Sequence, residues 1–150
     1  MKTIAISVLL AAAAGTAVAQ DNLQTVQDIY ARFGQGDIPG ILEKLSPDAV
    51  WVHGADPAVV PYGGTYQGVA GAGEFFQKLG QNAQITSFTP SNFRVDGNKV
   101  MSDMAIEGKS LTTGKNWSEN SVFVWEFDDS GKVARWEATG DFASMNAAFK

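Results

Sequence analysis

The chain has 150 residues, 45% hydrophobic, 18% charged and 11% aromatic, the balance of a folded globular protein and not of a disordered, collagenous or multi-span membrane one. Eleven lysines and arginines stand against sixteen aspartates and glutamates, a net charge of -5 with no basic cluster, so nucleic acid is not an expected partner. With no cysteine and one histidine, His53, the chain cannot form disulfides, thiol nucleophiles, iron–sulfur ligation or Cys/His zinc sites, and any metal would have to be held by carboxylates.

Lys2 precedes an apolar stretch from Ile4 to Ala14, and Ala17-Val18-Ala19 forms a small-x-small triplet of the kind a signal peptidase accepts. A membrane anchor is the competing reading, but the run from Ile4 to Ala19 contains Ser7 and Thr16 and falls short of the roughly 20 residues that span a bilayer. Residues 1–19 are therefore expected to be a signal peptide. Residues 20–150 form the single domain, periplasmic or secreted, with no integral membrane segment after cleavage. Loss of Lys2 brings the mature net charge to -6.

Asp21 or Asn22 is expected to cap a helix with Leu23, Val26, Ile29, Tyr30 and Phe33 along one stripe. Asp37 caps a second, shorter helix with Pro39 in its first turn and Ile41, Leu42 and Leu45 inward, ended by Ser46-Pro47-Asp48. Ala49 to His53 reads as a strand that points Trp51 and His53 to one side and Val50 and Val52 to the other. The Gly54–Gly68 segment, with Pro57, Pro61, Gly63 and Gly64 around Tyr62 and Tyr66, is expected to form a tight loop or short hairpin.

Val69, Ala72, Phe75, Phe76 and Leu79 define a third helix ending near Gly80. Period two then takes over, predicting strands near 85–95, 99–109, 116–128 and 133–139. Asp96-Gly97-Asn98, Thr113-Gly114 and Asp129-Ser130-Gly131 are the hairpin turns between them. A last helical piece begins at Asp141, with Phe142, Met145 and Phe149 facing one way. The order predicts an α+β fold in which helices cover one face of a curved, mostly antiparallel sheet, making a cone that closes a cavity.

Four stretches carry a resemblance: Tyr30-Ala31-Arg32-Phe33 with Gly36-Asp37; Asp48-Ala49-Val50-Trp51; Pro61-Tyr62-Gly63-Gly64-Thr65-Tyr66-Gln67-Gly68; and Phe127-Asp128-Asp129-Ser130-Gly131-Lys132-Val133. Together they make the chain similar to the NTF2-like cone fold, and within it to the SnoaL-like and ketosteroid-isomerase-like branch. The resemblance covers the whole mature chain and implies a pocket whose chemistry varies from isomerase and cyclase to no catalysis at all.

At the position of the ketosteroid isomerases' catalytic carboxylate this chain has His53. At the position of their neutral oxyanion acid it has Phe123. Their oxyanion tyrosine position holds Ile29, with Tyr30 one residue away. These departures argue against steroid isomerisation. The aspartate of SnoaL-like cyclases lies on the late strands, where Glu137 and Glu119 are the nearest equivalents here.

His53 is then the sharpest candidate, a general base or acid needing a carboxylate partner among Asp56, Asp103, Glu119 and Glu137; the bland alternative is a strand-end histidine bonded to backbone. Tyr30 or Tyr62 would donate to developing oxyanion charge. Tyr30, Trp51, Tyr62, Tyr66, Phe75, Asp103 and Phe123 are the expected lining of a pocket for a small hydrophobic molecule, whereas Trp117 and Trp136 read as core or subunit interface. Val122 and Val124 alternate with Phe123, Trp125 and Phe127, so that strand is apolar on both faces, and a homodimer through the outer face is expected. Neither a cofactor nor a metal is expected. The Gly68–Gly73 run lacks dinucleotide-fingerprint spacing, and Asp128-Asp129-Ser130 reads as a turn and not as a calcium loop. The catalytic expectation is cofactor-independent proton transfer on a small, apolar carbonyl compound; the rival is a non-catalytic carrier of a hydrophobic molecule.

Overall fold

The computed structural model describes the backbone of residues 2–150 and the side chains of residues 17–150. The elements are α1 (Lys2–Gly34), α2 (Ile38–Leu42), β1 (Leu45–His53), β2 (Gly64–Gln67), α3 (Gly68–Asn82), β3 (Ala83–Asp96), β4 (Lys99–Ser110), β5 (Asn116–Phe127), β6 (Val133–Thr139) and α4 (Ala143–Ala148). The strands form one sheet in the order β2-β1-β6-β5-β4-β3. Only β1 and β6 run parallel; every other neighbouring pair is antiparallel. The α+β cone is thus the fold.

Three boundaries differ from expectation. Neither Asp21 nor Asn22 caps α1, because the helix already runs through both, and the Asp21 carbonyl accepts from the Thr25 hydroxyl at 3.0 Å. The alanine-rich stretch ahead of them contains no proline to stop it. β1 begins at Leu45, four residues early. The Lys44 carbonyl accepts from Val133 N–H at 2.9 Å and draws that segment alongside β6, with an irregularity in register between Leu45 and Val50. α4 begins after Asp141, because Phe142 adopts a left-handed conformation (φ 54°), which costs a bulky side chain energy and breaks the approach to the helix. The expected signal peptide falls largely outside the described side chains. Among the described residues no helix is long and apolar enough to cross a membrane.

Elsewhere local chemistry sets the elements. Asp37 caps α2 by accepting from Gly40 N–H at 3.0 Å, satisfying a donor that the first turn leaves free. The β3–β4 and β5–β6 hairpins turn at Gly97 (φ 59°) and Gly131 (φ 83°), conformations that glycine adopts without steric penalty. On β5 the alternation is clean: Trp117, Glu119, Ser121, Phe123, Trp125 and Phe127 are buried, while Val122, Val124 and Glu126 on the outer face are half-buried. α1 and α3 roof the inner face, meeting it through Val26, Ile29, Tyr30, Ala72 and Phe75.

Candidate functional site

The concave face and its roof enclose an apolar cavity of about 70 Å³, room for several waters or part of a small organic molecule. Of the expected lining, Tyr30, Trp51, Tyr62, Phe75 and Phe123 do line it, as does the catalytic candidate His53. So do Trp117 and Trp136, expected as core or interface, and Trp125. Phe33, Phe76, Leu79, Ile85, Phe88 and Ile106 line it as well but are only half-buried, so the cavity reaches the surface between α1, α3 and the β3 edge.

Three expected site residues do not line the cavity, and for Asp103 and Glu137 strand alternation is the reason. Asp103 sits on the outer face of β4, accepting from Arg94 at 3.1 Å and Asn92 at 3.0 Å, which hold its carboxyl below the usual range. Glu137 is on the outer face of β6, paired with Arg135 at 3.1 Å. Tyr66 shares the inner face with its register partner Trp51 but packs its ring against Phe75 outside the cavity lining, its hydroxyl donating weakly to the Gly63 carbonyl at 3.4 Å. None of the three is brought to His53.

His53 ends β1, 8% exposed, with its ring centre 4.9 Å from Phe142, 5.3 Å from Tyr62 and 5.8 Å from Phe75. Its Nδ1 accepts from Ala55 N–H at 3.3 Å. Among the described residues it forms no ion pair with a carboxylate. Burial lowers its pKa to about 4, because an apolar setting disfavours the imidazolium. At neutral pH the ring is therefore uncharged, and with Nδ1 accepting, its proton lies on Nε2. The expected base is, in this geometry, a donor.

The two tyrosines differ in the same way. Tyr30 accepts from Trp125 Nε1 at 2.9 Å and meets Ser102 Oγ at 2.6 Å, while Ser102 itself reaches Met104 Sδ at 3.4 Å. Its hydroxyl is fully engaged, and burial pushes its pKa up to about 12. The Tyr62 hydroxyl has no hydrogen-bond partner in the protein, and both burial and the charge of Glu119 push its pKa upward. Trp51, Trp117 and Trp136 likewise carry buried indole N–H groups without protein partners. Each such group left unmatched costs the fold about 1–3 kcal/mol.

Glu119, 5% exposed, is the one carboxylate residue among those described that is buried. It points inward from β5 and accepts from Phe142 N–H at 3.3 Å; burial raises its pKa. Phe142 thus touches both candidate groups, its amide on Glu119 and its ring on His53. This bridge was not visible in the sequence, since Gly140-Asp141 signals a turn but not where the next side chain goes. Period two counted back from Trp125 does find Glu119 and Trp117 on the inner face. Among the described residues no group of three His, Asp or Glu is placed to hold a metal ion.

Residues 26–136 match the family model of the SnoaL-like domain. An NTF2-like protein of unknown function from Burkholderia pseudomallei is 25% identical, covering 87% of this chain and 98% of its own, with a TM-score of 0.78. TerC, co-crystallised with polyporic acid, is 29% identical over 86% of this chain and 98% of its own, with a TM-score of 0.76. A provisionally assigned polyketide cyclase from Xanthomonas campestris pv. campestris, 18% identical over 89% and 99% of the two chains with a TM-score of 0.69, shares the fold. No curated protein matches the chain.

Proposed function

The chain belongs to the SnoaL-like domain family, and on that premise we propose that its cone holds a compact apolar carbonyl compound and performs cofactor-independent proton transfer on it, in the manner of an isomerase or cyclase. The observation that carries this reading is the approach of a buried carboxylate and a buried imidazole, Glu119 and His53, to the same residue, Phe142.

Glu119, which stands beside Phe142 and outside the set of residues that line the cavity, is assigned as the proton acceptor. Burial makes its carboxylate more basic, bringing it nearer the working pH of a general base. The C–H bond next to the carbonyl breaks, its proton passes to Glu119, and the electron pair moves into an enolate. His53 Nε2–H and the free Tyr62 hydroxyl donate to the enolate oxygen, and the proton returns at the same or a conjugated carbon. His53, with a pKa near 4, contributes as a neutral donor and not as the base.

Residues 1–19 are read as an export signal, so the site works in the periplasm or outside the cell. The half-buried Val122 and Val124 support pairing of two copies through the outer sheet face.

A carrier without turnover is the second reading, favoured by the bonding of His53 to a backbone amide where a catalytic pair would have a carboxylate. Deuterium exchange into the methyl group of acetophenone, followed by proton NMR in D₂O, separates the two. Catalysis predicts exchange accelerated by the protein and lost in Glu119→Gln with binding retained. Saturable binding without accelerated exchange would remove the catalytic reading and leave the carrier.

A further inference from the structure

Glu119 occupies a wall position and yet does not line the cavity. Trp117 and Phe123, on the same face of β5, line it, and so does Ile106, the direct register partner of Glu119 on β4. What lies over the carboxylate is the segment that follows β6. Phe142 N–H donates to it at 3.3 Å, and a Cβ on Gly140 would stand 3.1 Å from its Oε1. Met145, three residues beyond Phe142, is itself part of the cavity wall. The segment thus has one part against Glu119 and another in the cavity.

Its attachment is slight. It takes part in no strand pairing. Besides the bond to Glu119, its hydrogen bonds to the rest of the described residues run from Ser118 N–H to Ser144 Oγ at 3.0 Å and from the Thr113 hydroxyl to the Ala148 carbonyl. Phe142 holds φ 54°, which a bulky residue keeps only where its surroundings impose it, and such strain gathers at clamps and switches. The cavity behind, about 70 Å³, takes only part of a small organic molecule.

We infer that residues 140–149 are a lid whose outward swing withdraws Met145 from the wall, makes room for the whole ligand and uncovers the Glu119 carboxylate to it. The inference rests on the assignment of Glu119 as the base. The rings of Phe142 and Phe149 lie 4.9 Å from His53 and 5.7 Å from Tyr62, the two assigned donors, so one movement frees base and donors together. Reclosure then shuts the reacting carbonyl away from water.

The chain has no cysteine, so introduced thiols report alone. Met145→Cys, at a position 3% exposed, is labelled with dithionitrobenzoate, a reagent too bulky for the closed cavity, beside Ala138→Cys, fully buried on the central strand β6. The lid predicts labelling at position 145 about a hundredfold faster than at 138, because local opening is far commoner than unfolding of the sheet. Equal rates would overturn it. In a second arm Ser118→Cys and Ser144→Cys, both at exposed positions, are joined by a two-carbon bis-methanethiosulfonate linker that dithiothreitol removes. Acetophenone exchange should fall about tenfold or more on linking and return on reduction. Unchanged exchange in the linked protein would overturn the lid and leave Glu119 as the base. No acceleration in any form would overturn the base assignment, and with it the purpose given to the lid, whatever the labelling rates.

Discussion

The indole N–H of Trp125 donates to the hydroxyl of Tyr30 at 2.9 Å, tying the C-terminal end of β5 to α1 across the inside of the cone. The same hydroxyl meets Ser102 on β4, so one oxygen joins three elements. Tyr30→Phe leaves Trp125 Nε1 and Ser102 Oγ without that partner in a buried setting, and a loss of about 2 kcal/mol is expected. Urea denaturation at constant m-value reads it. A smaller change than about 0.5 kcal/mol would mean that Ser102 and Trp125 find each other once the oxygen is gone.

Tyr62→Phe should behave oppositely. Its hydroxyl is buried and unmatched in the protein, so removing it abolishes a desolvation penalty while keeping the ring against His53 and Phe149. The free protein should gain about 1 kcal/mol in the same denaturation experiment. A loss would show that the hydroxyl has a bonded partner within the folded protein.

His53 ties stability to pH. Its folded pKa near 4 lies below the unfolded value near 6.5, so the unfolded chain binds the proton first as pH falls. Its contribution is complete above about pH 6.5 and is lost as pH drops towards 4, amounting to about 3 kcal/mol over that window. Glu119, with a raised pKa, acts with the opposite sign in an overlapping range. The measurement is therefore the difference between wild type and His53→Gln in urea midpoints from pH 7 to 4. The wild-type curve should fall more steeply; parallel curves would mean that the imidazole is charged or solvated in the folded state.

Gly108 shows how the sheet shapes the cavity. A Cβ built there would overlap the Trp117 indole, lying 2.7 Å from Cε2, and the ring forms part of the cavity wall. Gly108→Ala should push Trp117 inward, destabilise the protein by about 1–3 kcal/mol, and weaken acetophenone binding. Unchanged binding with lowered stability would indicate that the ring yields outward.

The strands were legible because turn chemistry and period two agree along this stretch. Asp96-Gly97-Asn98 and Asp129-Ser130-Gly131 bracket segments whose inward residues are all apolar or small except Glu119. What escaped depends on distant partners. The parallel pairing of β1 with β6 joins Trp51 to Trp136 across 85 positions, and neither strand carries a local sign of it. Tyr30 and Tyr62 looked equivalent as donors; only Ser102, 72 residues from Tyr30, and Trp125 distinguish a committed hydroxyl from a free one. Glu137 and Glu119 were likewise level. Counting alternation from the buried Trp136 puts Glu137 outward and, from Trp125, puts Glu119 inward, a parity step that composition near a strand does not supply.

Glu119→Gln separates folding from chemistry. The folded state holds the carboxyl proton more tightly than the unfolded chain, so the ionised residue weighs against folding as pH rises above its unfolded value. Glutamine keeps a carbonyl oxygen for the Phe142 amide but never ionises, so the variant should be more stable than wild type at pH 7, the gap closing as pH falls towards 4. In the acetophenone exchange experiment the same variant should lose the acceleration, since an amide cannot take the proton. Higher stability together with lost exchange identifies a residue kept for proton transfer at a cost to the fold. A variant less stable at pH 7 would make Glu119 an anchor for α4, and exchange that persists would assign the base elsewhere in the cone.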